Sequence, residues 1–125
     1  MNILVACDSF KDALPADAVC RAIAAGLRKG HPEAAITEMP LSDGGEGLLD
    51  VLGQALMLGW IDIKACDPLG RMVMARYGMS ADGVTAVVEM ARASGLQLLT
   101  QDERDPRLTS TYGTGQLLAD ARARG

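Results

Sequence analysis

Ile3 to Cys7 form a short apolar run that stops at Asp8, the pattern of a strand buried in a parallel sheet. Pro15 suits the first turn of a helix. Val19, Ile23 and Leu27 then recur four residues apart, with Cys20 and Ala24 on the adjoining face. Arg28 and Lys29 complement the negative helix end, and Gly30 is placed to cap it. Ala35 to Met39 reads as a second strand closed by Pro40, and the pattern predicts a helix from about Leu48 to Leu58. Strand, helix, strand, loop and helix in this order favour a parallel doubly wound α/β sheet, with function at the C-terminal ends of the strands.

After Trp60 the rhythm changes. Trp60 to Cys66 is strand-like and Asp67-Pro68-Leu69-Gly70 is a turn. Met72 to Met79 and Val84 to Met90 flank Ser80-Ala81-Asp82-Gly83, whose Asp-Gly is a strong hairpin signal. An antiparallel ribbon breaks the βα alternation, so the boundary falls near residues 59–67. The expected domains are 1–62, a partial doubly wound sheet, and 63–125, an incomplete second α/β domain. Gln101 to Arg107 is a charged surface loop, and Thr114 to Arg124 a closing helix capped by Thr114.

Composition narrows the class. Of 125 residues 49% are apolar but only 3% aromatic, so the core must be aliphatic, with the seven methionines expected to fill it. A net charge of −4 argues against a nucleic-acid surface. The longest apolar run, Leu48 to Ile63, is broken by Asp50, Gln54 and Asp62, so neither a membrane span nor a signal peptide is expected. Cys7, Cys20 and Cys66 are odd in number and widely spaced, which suits small buried hydrophobes in a reducing cytoplasm. Catalysis by cysteine lacks a partner, since the one histidine is His31, beside Pro32 in a turn.

Three polar segments interrupt this pattern where elements begin or end. Asp43-Gly44-Gly45-Glu46-Gly47 holds two carboxylates on a glycine backbone that another molecule can approach closely. Such carboxylates bind a metal, orient a hydroxyl or accept its proton, whereas a lone loop of this kind is more often a solvated turn. Because like charges repel, Asp43 and Glu46 suit a phosphate only through Mg²⁺ or an oriented hydroxyl. Asp8 closes the first strand, Ser9 adds a hydroxyl and Lys11 a point charge for phosphate or carboxylate. An aspartyl-nucleophile phosphatase needs a second acid two residues on, and Phe10 stands there. Thr109 to Gly115 offers hydroxyls and free N–H groups at a helix start, an anion site. Arg71 and Arg92 could each pair a substrate carboxylate, although solvated arginines are the commoner outcome.

Five motifs then occur in order: Asp8-Ser9-Phe10-Lys11, Asp43-Gly44-Gly45-Glu46-Gly47, Asp67-Pro68-Leu69-Gly70-Arg71, Glu89-Met90-Ala91 with Ala93-Ser94-Gly95-Leu96, and Thr111-Tyr112-Gly113-Thr114-Gly115. Together, over essentially the whole chain, they resemble the bacterial glycerate kinase family of glyoxylate and glucarate metabolism. The resemblance implies ATP-dependent phosphorylation of D-glycerate, usually to the 2-phosphate. It also implies a flavodoxin-like domain with a second α/β domain inserted, and a site in the cleft between them. Asp8, Asp43 and Glu46 would take the substrate hydroxyls or Mg²⁺, and Gly44 and Gly45 would border the nucleotide. Ser9, Lys11 and Arg71 would hold anionic groups, with the segment Thr111, Tyr112, Gly113, Thr114 and Gly115.

The departures from the family pattern are Asp12 for Gly, Cys7 for Pro, Leu48 for Thr and Gln116 for Glu. Family members are also considerably longer, so the chain is expected to be an N-terminal portion, inactive alone. Two alternatives are a non-catalytic module binding a small anion or metal and, more remotely, a flavodoxin-like nucleotide-binding module.

Overall fold

The computed structural model describes every residue except Asp12, so the departure from the family pattern at that position lies outside the described residues. The fold is mixed α/β, with one parallel sheet of two strands and one antiparallel sheet of three. Two compact units, Met1–Val51 and Leu52–Gly125, carry them. Residues 52–62, which the pattern assigned to the first domain, lie in the second unit.

In the first unit β1 (Asn2–Val5) and β2 (Ala35–Glu38) pair in parallel from Asn2↔Ala35 to Val5↔Glu38. A parallel pair needs a crossover, and α1 (Ala16–Gly30) supplies it. The helix buries Ala16, Val19, Cys20 and Ala24, while Ile23 is exposed. Small side chains therefore form the contact face, and the Cys20 thiol donates to the Val5 carbonyl at 3.7 Å. Gly30 is the last helical residue rather than the cap. His31 caps the helix at φ −136°, because a residue before proline is pushed out of the α region.

α2 runs from Leu48 to Ala55, shorter than the pattern predicts. Leu58 N–H donates to the Gly53 carbonyl at 3.0 Å, and Met57 adopts φ 50°. This is a Schellman-type end with methionine where glycine normally sits.

The second unit is organised by a hairpin. β3 (Gly59–Cys66) pairs antiparallel with β4 (Met72–Met79) along its whole length, and β5 (Ala86–Val87) adds two pairs at the far end. Both hairpin turns carry a left-handed glycine, Gly70 at φ 83° and Gly83 at φ 72°. β5 is shorter than expected because the chain leaves the sheet toward α3 (Ala91–Ser94). α4 (Tyr112–Arg124) covers one sheet face, and the core is Ala65, Ala75, Tyr77, Ala93, Leu117 and Ala121. These small residues allow close contact. A Cβ added at Gly113 would stand 1.8 Å from the Cys66 carbonyl oxygen, so only glycine fits there. Tyr77 is fully buried, and its hydroxyl donates to Asp120 Oδ2 at 2.7 Å. Burial, reinforced by that carboxylate, holds the phenol above its ordinary pKa.

The methionines do not fill the core. Met1, Met39, Met57, Met72, Met74 and Met90 are exposed, and only Met79 packs against it. Met72 and Met74 project from the outer face of β4 because strand side chains alternate, and their odd-numbered neighbours point inward. Among the described residues no helix is long and apolar enough to cross a membrane.

Met57→Gly should stabilise the chain by roughly 1 kcal/mol, the usual penalty for a side chain in the left-handed region. The gain should appear as a higher urea midpoint with an unchanged slope.

Candidate functional site

The parallel pairing continues past both strands of the first unit. Met39 N–H donates to the Val5 carbonyl at 2.8 Å and Leu41 N–H to the Cys7 carbonyl at 2.9 Å. Two loops are therefore delivered side by side at the C-terminal end of the pair. Asp8 joins them: its Oδ1 accepts Ser9 N–H at 2.6 Å and its Oδ2 accepts Asp43 N–H at 3.0 Å.

The acidic loop is shaped from within. Asp43 Oδ1 accepts Gly45 N–H at 2.9 Å and Ser42 Oγ accepts Gly44 N–H at 3.2 Å. Gly44 and Gly47 stand at φ 99° and 92°, where side chains are strained. The loop thus turns within five residues into α2 and leaves Asp43, Gly44, Gly45 and Glu46 exposed. Lys11 is exposed, and nearby Phe10 and Leu14 exchange main-chain hydrogen bonds of 2.9 and 3.0 Å. The structure thus brings Asp8, Ser9 and Asp43 together. Among the described residues it records no hydrogen bond or ion pair from the side chains of Lys11 or Glu46.

The second unit carries the other expected residues. Asp67, only 2% exposed, accepts Leu69 N–H and Arg71 N–H at 2.8 Å each, and Arg71 Nε as well. Burial opposes its charge, but the guanidinium and the two backbone donors outweigh burial and hold its pKa below the ordinary value. Arg71 also donates through Nη1 to Glu103 Oε1 at 2.8 Å and through Nη2 to the Leu98 carbonyl at 3.0 Å. The arginine expected to meet a substrate anion thus has three protein acceptors. Arg92, the other arginine singled out, lies 3.4 Å from the buried Glu89.

α4 begins at Tyr112, so Thr114 lies inside the helix and Thr111 stands at the N-cap without a side-chain capping bond. Tyr112 N–H donates to Ser110 Oγ at 3.1 Å, and the Thr114 and Ser94 hydroxyls share a hydrogen bond of 2.7 Å. Gly115 N–H already donates to the Thr111 carbonyl at 3.3 Å, while Gly113 serves the close approach to β3. An open cleft of about 360 Å³ lies beside this helix start. Its walls are Pro68, Leu96, Leu99, Ser94 and the hydroxyl run Thr109, Ser110, Thr111.

Sequence reasoning named Thr109 and Ser110 in the hydroxyl stretch but passed over Ser94 as a lining residue, and Glu103 as a partner of Arg71. The Thr100-to-Glu103 spacing of a capping box, which the structure forms, was the available signal for Glu103.

The chain matches the glycerate kinase family over residues 3–125. It belongs to that family. It is 47% identical over 120 residues to a glycerate kinase of Halalkalibacterium halodurans, covering 96% of this chain and 32% of that one. The glycerate 2-kinase of Escherichia coli is 41% identical over 121 residues, covering 97% and 32%. A crystal structure of glycerate kinase 2 from Salmonella typhimurium superposes with a TM-score of 0.77 at 40% identity, covering all of this chain and 34% of that one. The chain therefore spans about a third of the length of these relatives. Among the described residues no cluster of three or more His, Cys, Asp or Glu could hold a metal by itself.

Asp8→Ala should speed amide exchange at Asp43 by roughly tenfold or more, since a bond to a charged acceptor contributes about 1.5–3 kcal/mol. Asp8→Asn, which keeps an acceptor, should have a smaller effect. For Asp67, a depressed folded-state pKa means its stabilisation is complete above the ordinary carboxylate range. That contribution is lost as pH falls through the folded-state value. Asp67→Asn should therefore melt with a shallower loss of stability on acidification below about pH 4.

Proposed function

We propose that the chain supplies part of the site of an ATP-dependent glycerate kinase of the cytoplasm, converting D-glycerate to phosphoglycerate, with the 2-phosphate as product. The observation that carries this reading is the meeting of the Asp8 and Asp43 loops at the C-terminal end of a parallel pair, in a chain of this family. In the reaction a glycerate hydroxyl oxygen attacks the terminal phosphorus of ATP. The bond to the β,γ-bridging oxygen breaks, ADP leaves, and the hydroxyl proton passes to a carboxylate.

Catalysis of this kind is mostly positioning and neutralisation of charge. Asp8 already spends both oxygens on loop N–H groups, which suits it to fixing the site. Asp43 and Glu46 are exposed on the glycine loop and suit the substrate hydroxyls. Two carboxylates also fit the way Mg²⁺ is usually held, by one or two acids together with substrate phosphates. When bound, that ion would neutralise phosphate charge. Gly44 and Gly45 let a ligand approach the main chain. Ser9 and Lys11 suit anionic groups. In the first turn of α4 the Tyr112 and Gly115 N–H groups already have acceptors, so Gly113 and Thr114 are the ones suited to an anion there. Arg71 is better suited to holding Asp67, Glu103 and the Leu98 carbonyl together.

The test is a fusion of this chain to the part of the Escherichia coli enzyme that it does not match. Asp43→Asn and Glu46→Gln in that fusion should each lower kcat by roughly two to three decades with unchanged melting. Near-normal kcat in both variants would make the loop an ordinary turn.

A further inference from the structure

Val5 and Cys7 stand two positions apart on β1 and its extension, so their side chains project to one face. That face is the one α1 covers. Ile3, Val5 and Cys7 are buried or half-buried, whereas Leu4 and Ala6 between them are exposed. Cys20 enters the same space from α1 and is fully buried. Its thiol reaches the carbonyls of both Val5 and Cys7, at 3.7 and 4.0 Å. A carbonyl oxygen lies about 2.4 Å from its own Cα, so the Cys20 sulfur stands no more than roughly 6.5 Å from the Cys7 Cα. Two free thiols, remote in sequence, are thus neighbours on the covered face of β1. Cys66 belongs to the other compact unit, where its sulfur lies 4.0 Å from that of Met72.

The pair sits where the candidate site is rooted. The Cys7 carbonyl accepts Leu41 N–H, and the next residue, Asp8, accepts the N–H groups of Ser9 and Asp43. We propose that Cys7 and Cys20 form a thiol–disulfide exchange site for a small-molecule disulfide, and that closing the bridge stiffens the root of the Asp8 and Asp43 loops. The Cys7 thiolate attacks one sulfur of the small disulfide, whose S–S bond breaks and releases one thiolate. The Cys20 thiolate then attacks Cys7 Sγ, and the second small thiolate leaves. The two protons shed by the cysteines end on the two departing thiols, so one disulfide is consumed and one is formed. Half-buried Cys7 suits the first attack and buried Cys20 the second. A bridge that opens and closes in this way is the kind met in reducing compartments. The exchange requires neither nucleotide nor glycerate, so its test stands apart from the kinase reading.

The experiment incubates the folded 125-residue chain with oxidised glutathione to equilibrium and maps each thiol by peptide mass spectrometry. The expected product is an internal Cys7–Cys20 link, with Cys66 free or carrying glutathione. Amide exchange at Leu41 and Asp43 should slow by roughly tenfold on oxidation and recover with dithiothreitol. Cys20→Ser should halt the reaction at glutathione on Cys7, and Cys7→Ser should leave buried Cys20 unmodified. The exchange site is overturned by absence of the Cys7–Cys20 link, by a link to Cys66 in its place, or by glutathione on Cys20 as readily in Cys7→Ser as on Cys7 in Cys20→Ser. Unchanged exchange at Leu41 and Asp43 in the bridged chain overturns the stiffening. Where a serine variant does not fold, the map of the unsubstituted chain decides by itself.

Discussion

The register between β1 and β2 is the constraint on which the first unit depends. Four residue pairs set it, and two further main-chain bonds carry it to Leu41. A slip of one residue would turn Val5 away from α1 and expose it, because strand side chains alternate. The same slip would carry Asp43 out of reach of Asp8. Core packing and loop placement are therefore one decision, made by the spacing between Val5 and Glu38. The crossover helix enforces it from one side with small side chains, since Ala16, Cys20 and Ala24 allow a close approach that larger residues would prevent.

In the second unit close approach again does the positioning. Gly113 lets α4 rest against the end of β3, and Cys66 N–H donates to Gln116 Oε1 at 2.8 Å across that contact. The helix start, the turn at Asp67 and the hydroxyl run then share one neighbourhood, joined by the bond from Ser110 N–H to the Pro68 carbonyl at 2.9 Å. Arg71 ties the same turn to the segment around Leu98 and Glu103. Because Asp67 is buried and its partner half-exposed, the pair is anchored on the acid side.

The fold class was legible because its signals are local. An apolar run closed by Asp8, a helical repeat, and glycines at the hairpin turns each report on a few neighbouring residues, and these elements formed. Tertiary geometry decided the rest. His31 rather than Gly30 caps α1, since Pro32 acts on the residue before it. Thr114 falls inside α4 because the close packing at Gly113 and the bond to Ser94 draw the helix start back to Tyr112. The methionines went to the surface because hydropathy ranks a residue without stating which face of a strand it occupies. The meeting of Asp8 with Asp43 spans thirty-five positions, and no local pattern encodes such a contact. The partners of Arg71 were hidden for the same reason, although the Thr100–Glu103 spacing marked where one would be ordered.

The core of the second unit has a consequence for the order in which the chain acquires structure. β3 and β4 are joined by a short turn and can pair as soon as both have left the ribosome. Leu117 and Ala121, which cover their inner face, belong to the last helix. Until α4 is synthesised, Ala65, Ala75 and the Tyr77 ring face water or whatever binds nascent chains. The hairpin must therefore wait for some forty residues with an apolar side uncovered, a window in which strands are prone to pair with other chains. A pause in translation before Leu117 would lengthen that window, and rapid passage through the charged segment after Thr100 would shorten it.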